Sequence, residues 1–198
     1  MILQSLVEYY EALEKKGEIT RPGWCKAKIS FALDISETGV LLRVLPLKIE
    51  KQRGKKTVME TQQMEVPEMV TRSSGVSANF LCDNSGYFLG IDNKGKPKRS
   101  EECFAAAKKK HLEILENAKG TAARAVCGFF EAWDPACASE HPAVKDSIEE
   151  IISGGNLIFC VNGDWAQEDQ EIRAAWENSR ENAEKENEGI CIVTGQRT

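Results

Sequence analysis

Apolar residues Leu3, Leu6, Val7, Tyr10 and Leu13 recur at helical spacing, so residues 2–15 predict an amphipathic helix, which Gly17 ends. Arg21-Pro22-Gly23-Trp24 reads as a turn. Cys25, Ala27, Ile29, Phe31 and Leu33 then alternate with Lys26, Lys28 and Ser30. That period of two is the cleanest strand signal in the chain and predicts one buried face. Ser36-Glu37-Thr38-Gly39 turns the chain into a second strand, Val40 to Leu47, interrupted late by Pro46, and the pair predicts an antiparallel hairpin.

The pattern changes at residue 48. Five of the nine residues from Lys48 to Lys56 are basic and one is acidic, which predicts a projecting basic loop. Thr57–Glu60 suits a strand and 62–67 reads as irregular. Next comes Arg72-Ser73-Ser74-Gly75-Val76-Ser77-Ala78-Asn79, a Ser/Gly loop feeding a short apolar run at Phe80-Leu81-Cys82. We expect a strand at 79–83, a tight turn at Asp83-Asn84-Ser85-Gly86, a return strand at Tyr87–Ile91 and a second basic loop at 92–99. If these strands are hairpins, two or three of the loops emerge at one end of a sheet, a usual place for binding loops.

From Ser100 the period becomes helical. Phe104, Ala107, His111 and Leu115 lie along one face. Thr121 caps a second helix with an apolar stripe of Ala122, Val126, Phe129, Phe130 and Trp133, ended by Trp133-Asp134-Pro135. Val144, Ile148, Ile151 and Ile152 predict a third helix closed by Gly154-Gly155. Asn156–Val161 reads as a buried strand, Asn162-Gly163-Asp164 as its turn into a helix holding Ile172, Ala175, Trp176 and Ala183, and Ile190–Val193 as a final strand. The stop directly after it suggests a chain cut inside a longer protein. The fold class is therefore α+β: a mixed or antiparallel sheet from the N-terminal half packed with helices from the C-terminal half. We read 1–198 as a single domain, β-rich with basic loops over 1–99 and mainly helical over 100–198, with strands near 156–162 and 190–194.

Charge sharpens this picture. The net charge of −5 conceals 19 Lys/Arg against 14 Asp/Glu in residues 1–110, and 7 against 17 in residues 111–198. An acidic total therefore leaves room for a nucleic-acid site in the first half. The seven cysteines are an odd count set mostly in apolar runs, which favours free buried thiols in a cytoplasmic protein over a disulfide framework. No stretch approaches the roughly 20 apolar residues that span a bilayer, so no membrane partner is expected.

Candidate chemistry is sparse. CxxC, HExxH, GxxxxGK[ST], GxGxxG and GxSxG are all missing, and the two histidines, His111 and His141, lie in different helical neighbourhoods. No metal and no cofactor is expected. His111, on an apolar helix face, reads as a core or partner-satisfied histidine, and the paired carboxylates Glu149-Glu150 and Glu168-Asp169 as solvated charges. Nothing here makes an enzyme. Binding chemistry gathers in the loops instead. Ser73, Ser74 and Ser77 offer hydroxyls, Gly75 lets a backbone approach a ligand, Arg72 can grip a phosphate bidentately, and Asn79 can read an adenine edge. Lys48, Lys51, Arg53, Lys55 and Lys56 can contact a phosphate backbone. The plain alternatives are a polar loop that satisfies its own backbone and a solvated linker.

Several of these segments resemble the N-terminal part of the type I-C CRISPR–Cas Cascade large subunit (the Cas-eight family, subtype C). They are Arg21-Pro22-Gly23-Trp24, Gln52-Arg53-Gly54-Lys55-Lys56, Pro67 through Gly90 with its Ser/Gly loop, Gly154-Gly155-Asn156-Leu157, Val161-Asn162-Gly163 and Cys191-Ile192-Val193-Thr194-Gly195. The match spans essentially the whole chain in the family's order, and the family's chain is longer. The resemblance implies a non-enzymatic role in an RNA-guided antiviral complex. Such subunits sit beside the subunit holding the guide RNA 5′ end, read a protospacer-adjacent motif on double-stranded DNA, help open the duplex and help recruit a nuclease-helicase. Protein reads the motif and base pairing reads the rest. The residue chemistry then places Asn79 and the Ser73, Ser74 and Ser77 hydroxyls near base edges, Arg72 and the 48–56 basic segment on phosphates, and Asn162 as a second polar candidate that also suits a plain turn. Two rivals remain: an assembly module that docks the guide-RNA 5′ end and neighbouring Cascade subunits without reading the motif, and an enzyme, such as a nuclease.

Overall fold

One long strand organises the molecule. In the computed structural model, which describes residues 2–16, 19–54, 56–72, 75–92 and 94–186 (backbone alone at Glu14, Arg53, Lys56 and 184–186), β1 (Trp24–Ile35) lies in the middle of a six-stranded sheet. The order is β3 (Lys48–Arg53), β4 (Lys56–Pro67), β1, β5 (Asn156–Val161), β6 (Asp164–Trp165), and β2 (Leu41–Pro46) also pairs with β1. β1 and β5 run parallel and every other pair is antiparallel, so the sheet is mixed and the α+β class holds.

The expected β1–β2 hairpin is present, with Phe31 opposite Pro46 and Leu33 opposite Val44. The expected single buried face is not. Ala27 and Ile29 join the cluster with Met64, Val66 and Ile158, whereas Phe31, Leu33 and Ile35 join the main core. The register against β5 shifts between Ile29 and Phe31, so the alternation changes side there. A single irregular residue does this because the side-chain period of a strand is two.

The basic segment is a strand rather than a loop. Lys48–Arg53 pairs residue for residue with Lys56–Thr61. β4 then continues straight through the stretch read as irregular, pairing Gln62–Pro67 with β1. Beyond Gln62 the β3–β4 ribbon leaves β1, which takes β2 as its neighbour instead. Gly17 and the Ile190–Val193 strand lie outside the described residues.

Helices close the main face. α3 (Pro97–Leu115) buries Cys103, Phe104, Ala107, His111 and Leu115, as its spacing predicts, and α4 (Thr121–Ala132) buries Ala123, Ala125, Val126, Phe129 and Phe130. The N-cap of α4 is Gly120, with Thr121 its first helical residue. α7 (Gln170–Glu186) contributes Ile172 and Trp176 to the core. The third predicted helix is two short pieces, α5 (Pro142–Lys145) and α6 (Ile148–Ile152), and its apolar residues are too few for one long stripe. The Asn162-Gly163 turn leads into β6, not directly into a helix, because Val161 pairs with Asp164 across it. α1 (Ile2–Lys15) is helical as expected.

Candidate nucleic-acid interface

The expected hairpin over 79–91 is replaced by a tied loop and one helical turn. Phe80, Leu81 and Cys82 are fully buried but make no strand, and only Asp83 bridges to the sheet, at Leu157. Tyr87 belongs to α2 (Ser85–Phe88), which Asn84 caps by accepting the Gly86 N–H at 3.0 Å. An Asx cap before small residues overrides the weak strand signal of Tyr-Phe-Leu. Leu81 has a left-handed backbone, φ +56, uncommon for a bulky residue. Its N–H donates to His111 Nε2 at 2.9 Å. His111 Nδ1 sits 2.7 Å from the Ala107 carbonyl, so Nδ1 carries the proton and Nε2 accepts. Burial pushes the His111 pKa down to about 3, so the ring stays neutral and keeps that acceptor. His111 is therefore a satisfied core histidine.

On this floor stands an ionic knot. The Asp83 carboxylate, 1% exposed, receives both terminal nitrogens of Arg72. It also accepts the N–H groups of Asn79 and Asn84, each at 2.8 Å. The Arg72 Nε–H donates to the Ser77 carbonyl, and the guanidinium lies 4.0 Å from the Tyr87 ring centre. Burial works against the Arg72 charge, but the hydrogen bonds and charge of Asp83 outweigh it and the pKa moves up. Asn79 is also internal: 1% exposed, its Oδ1 accepts the Val70 N–H at 2.9 Å while its Nδ2 has no hydrogen-bond partner among the described residues. In this conformation Arg72 grips a carboxylate in place of a phosphate, and Asn79 presents no edge to a base. Both hold the loop.

Two further cations tie the loop from α3. Lys110 Nζ donates to the Ala78 carbonyl at 2.9 Å, and burial lowers its pKa. Arg99 Nη2 donates to the Gly75 carbonyl at 2.8 Å. The second basic segment, 92–99, thus meets the Ser/Gly loop. At the tip, Gly75 has φ +82 and a side chain there would touch none of the described residues within 4 Å, so glycine is needed for the backbone angle. Ser77 is exposed. Ser73 and Ser74 lie outside the described residues. Asp83, Arg99 and Lys110 escaped the sequence reading. Lys108-Lys109-Lys110 looks like a solvated run, and only the acid closing the apolar stretch Phe80–Cys82 hinted at a buried partner.

The ribbon lies elsewhere. Lys56 and Pro67 are the two ends of β4, about 36 Å apart along the strand at about 3.3 Å per residue. The loops therefore do not all emerge at one end of the sheet. On the ribbon, Lys48 pairs with Glu150 at 2.7 Å and Lys51 with Glu60 at 3.2 Å. Lys55 and the side chains of Arg53 and Lys56 lie outside the description. Asn162 sits at φ +56 in the two-residue β5–β6 turn, and its Nδ2 donates to Glu37 Oε1 at 2.8 Å. Asn-Gly with both residues left-handed is the hairpin turn that matches strand twist, and it lies beside the Ser36–Gly39 turn, away from the Ser/Gly loop. Among the described residues no group of three or more His, Cys, Asp or Glu side chains is placed to hold a metal ion. No described helix is long and apolar enough to cross a membrane.

A family model described as CRISPR-associated protein (Cas_Csd1) matches residues 6–198. No curated protein matches the chain.

Proposed function

The chain belongs to the CRISPR-associated Cas_Csd1 family, that of the type I-C Cascade large subunit, and within such a complex we propose that it binds double-stranded DNA and reads the protospacer-adjacent motif with its Ser/Gly loop. In this reading it is not an enzyme. It aids duplex opening, lies near the guide RNA 5′ end and takes part in recruiting the nuclease-helicase. The observation that carries the reading is the loop's construction. A polar tip around Gly75 is held from beneath by three cations, Arg72, Arg99 and Lys110, and a buried carboxylate. Backbone that is tied before binding, as at Gly75, Ser77 and Ala78, loses little entropy when it meets a base edge or phosphate.

The proposed roles are these. Arg72 and Asn79 position the loop. Ser73, Ser74 and Ser77 supply hydroxyls and Gly75 a close backbone approach. Arg99 and the exposed Lys94, Lys96 and Lys98 supply positive charge beside the tip. Lys51, Arg53 and Lys56 on the distant ribbon, and Lys55 between them in sequence, contact backbone further along the duplex.

An assembly role without motif reading is the second reading, favoured by the ion pairs that already engage Lys48 and Lys51. Anisotropy of short labelled duplexes titrated with the chain at two salt concentrations separates the two. Motif reading predicts salt-sensitive binding, with an Arg99→Gln chain weaker on every duplex and its salt slope shallower by about one. Charge reversal at Lys51, Arg53 and Lys55 that spares DNA binding but blocks complex assembly would favour the second reading.

A further inference from the structure

Arg21-Pro22-Gly23-Trp24 stands out in the sequence, and the proposed DNA-binding roles do not use it. In the fold this turn is an anchor for α7. Two guanidinium groups lie over the Trp24 ring, Arg21 at 4.3 Å and Arg173 at 4.9 Å from its centre. Trp24 is buried, which strengthens such contacts beyond those at an exposed site. Each cation is also paired with an acid: Arg21 with Glu177 at 3.1 Å and Arg173 with Glu65 at 3.5 Å. Arg173 and Glu177 flank Trp176 on α7, so these contacts fix that stretch of the helix against the turn.

Trp176 carries that anchor to the Ser/Gly loop. Its Nε1–H donates to the Gly23 carbonyl at 2.8 Å. The same carbonyl accepts the Glu68 N–H at 2.9 Å, just after β4 ends at Pro67 and where the chain sets out toward Arg72. The other side of the loop meets the indole ring itself. Phe80 stacks on it, with ring centres 5.5 Å apart and planes 16° from parallel. The Lys110 ammonium, which donates to the Ala78 carbonyl at 2.9 Å, lies 5.8 Å from the same ring centre. The neck of the loop is closed by Asn79, whose Oδ1 accepts the Val70 N–H. One side chain therefore bears on the chain entering the loop, through Gly23, and on the chain leaving it, through Phe80 and Lys110.

We propose that Trp176 is the positioning residue of the Ser/Gly loop: it ties both sides of the loop's neck to the Arg21–Trp24 turn and so fixes the tip they carry. The hold rests on these contacts, whereas its effect on motif preference rests on the proposed DNA-reading role. The test is amide hydrogen exchange of the whole chain at Asn79 and Leu81, whose N–H groups donate to Asp83 and His111. Trp176→Leu should speed both by about tenfold or more. Trp176→Phe, which restores a ring for Phe80 and Lys110 but no donor for Gly23, should fall between wild type and Trp176→Leu. Gly39→Ala strains the Ser36–Gly39 turn against α4, lowers overall stability away from the loop, and should leave both rates within about twofold. Equal acceleration by Trp176→Leu and Gly39→Ala would mean that Trp176 serves overall stability alone and would overturn the proposal. So would unchanged rates in the Trp176→Leu chain. In the reconstituted complex, Trp176→Leu should also lower trinucleotide preference by about threefold or more. Faster loop exchange with that preference unchanged would leave the hold standing and contradict motif reading by this loop.

Discussion

Leu81 holds a left-handed backbone because His111 accepts its N–H from inside an aromatic cage, with Phe130 4.4 Å and Phe80 5.0 Å away between ring centres. The acceptor exists only while the ring is neutral. The folded pKa, about 3, lies below the ordinary 6.5. As pH falls through that window the unfolded chain takes up a proton and the folded chain does not. Stability is thus fully present above pH 6.5 and declines by up to about 1.4 kcal/mol per pH unit below it. Urea unfolding between about pH 6 and 5 should show that slope in the wild-type chain in excess of a His111→Gln chain; equal slopes would mean the buried ring protonates freely. Asp83 is the matching case for charge. Arg72→Met leaves its carboxylate buried with backbone donors alone and should cost about 3 kcal/mol, read by denaturation. A cost below about 1 kcal/mol would mean that the knot adds little. The sequence showed that His111 was a core residue, since it shares a face with Phe104 and Leu115. It did not show that Arg72 and Asn79 turn inward, because the acid that turns them is eleven residues from Arg72 and carries no local signature.

Elements with a strong period were legible: α1, α3, α4, the β1–β2 hairpin and β5. The misreadings have identifiable causes. Lys48–Arg53 looked like a loop because charge outweighed its β pairing, which only the partner strand reveals. Tyr87–Ile91 looked like a strand because its cap, Asn84, outranked its composition. Packing between elements was the least legible. The Ser36–Gly39 turn lies directly on α4: a side chain on Gly39 would stand 2.1 Å from the Phe129 backbone nitrogen, and one on Gly128 would stand 2.6 Å from the Thr38 carbonyl oxygen. Gly39 also has φ +85. Gly39→Ala should therefore destabilise by about 3 kcal/mol, lowering the melting temperature by roughly 5–10 °C. Gly54, at φ +64 with none of the described residues within 4 Å of an added side chain, is the control, and Gly54→Ala should cost about 1 kcal/mol. Equal effects at the two sites would remove the argument from close backbone contact.

At the scale of the molecule, the charge asymmetry of the chain resolves into two separated basic regions. One surrounds the Ser/Gly tip, where the 92–99 segment and α3 converge. The other is the ribbon at the far end of β4, part of whose charge is already paired. Family membership was legible from motifs spread over the chain, whereas this separation was not, because it follows from β4 being one unbroken strand. In the proposed role, the tip of the Ser/Gly loop sets motif preference. The most direct test is binding of the reconstituted surveillance complex to a duplex library with every trinucleotide beside one fixed target, comparing the wild-type chain with one carrying Ser73→Ala, Ser74→Ala and Ser77→Ala. The wild-type complex should favour a subset of trinucleotides, and the triple variant should flatten the preference by about 1–3 kcal/mol while binding to guide-matched single strands is kept. An unchanged preference in the triple variant would contradict it and place motif reading outside this loop.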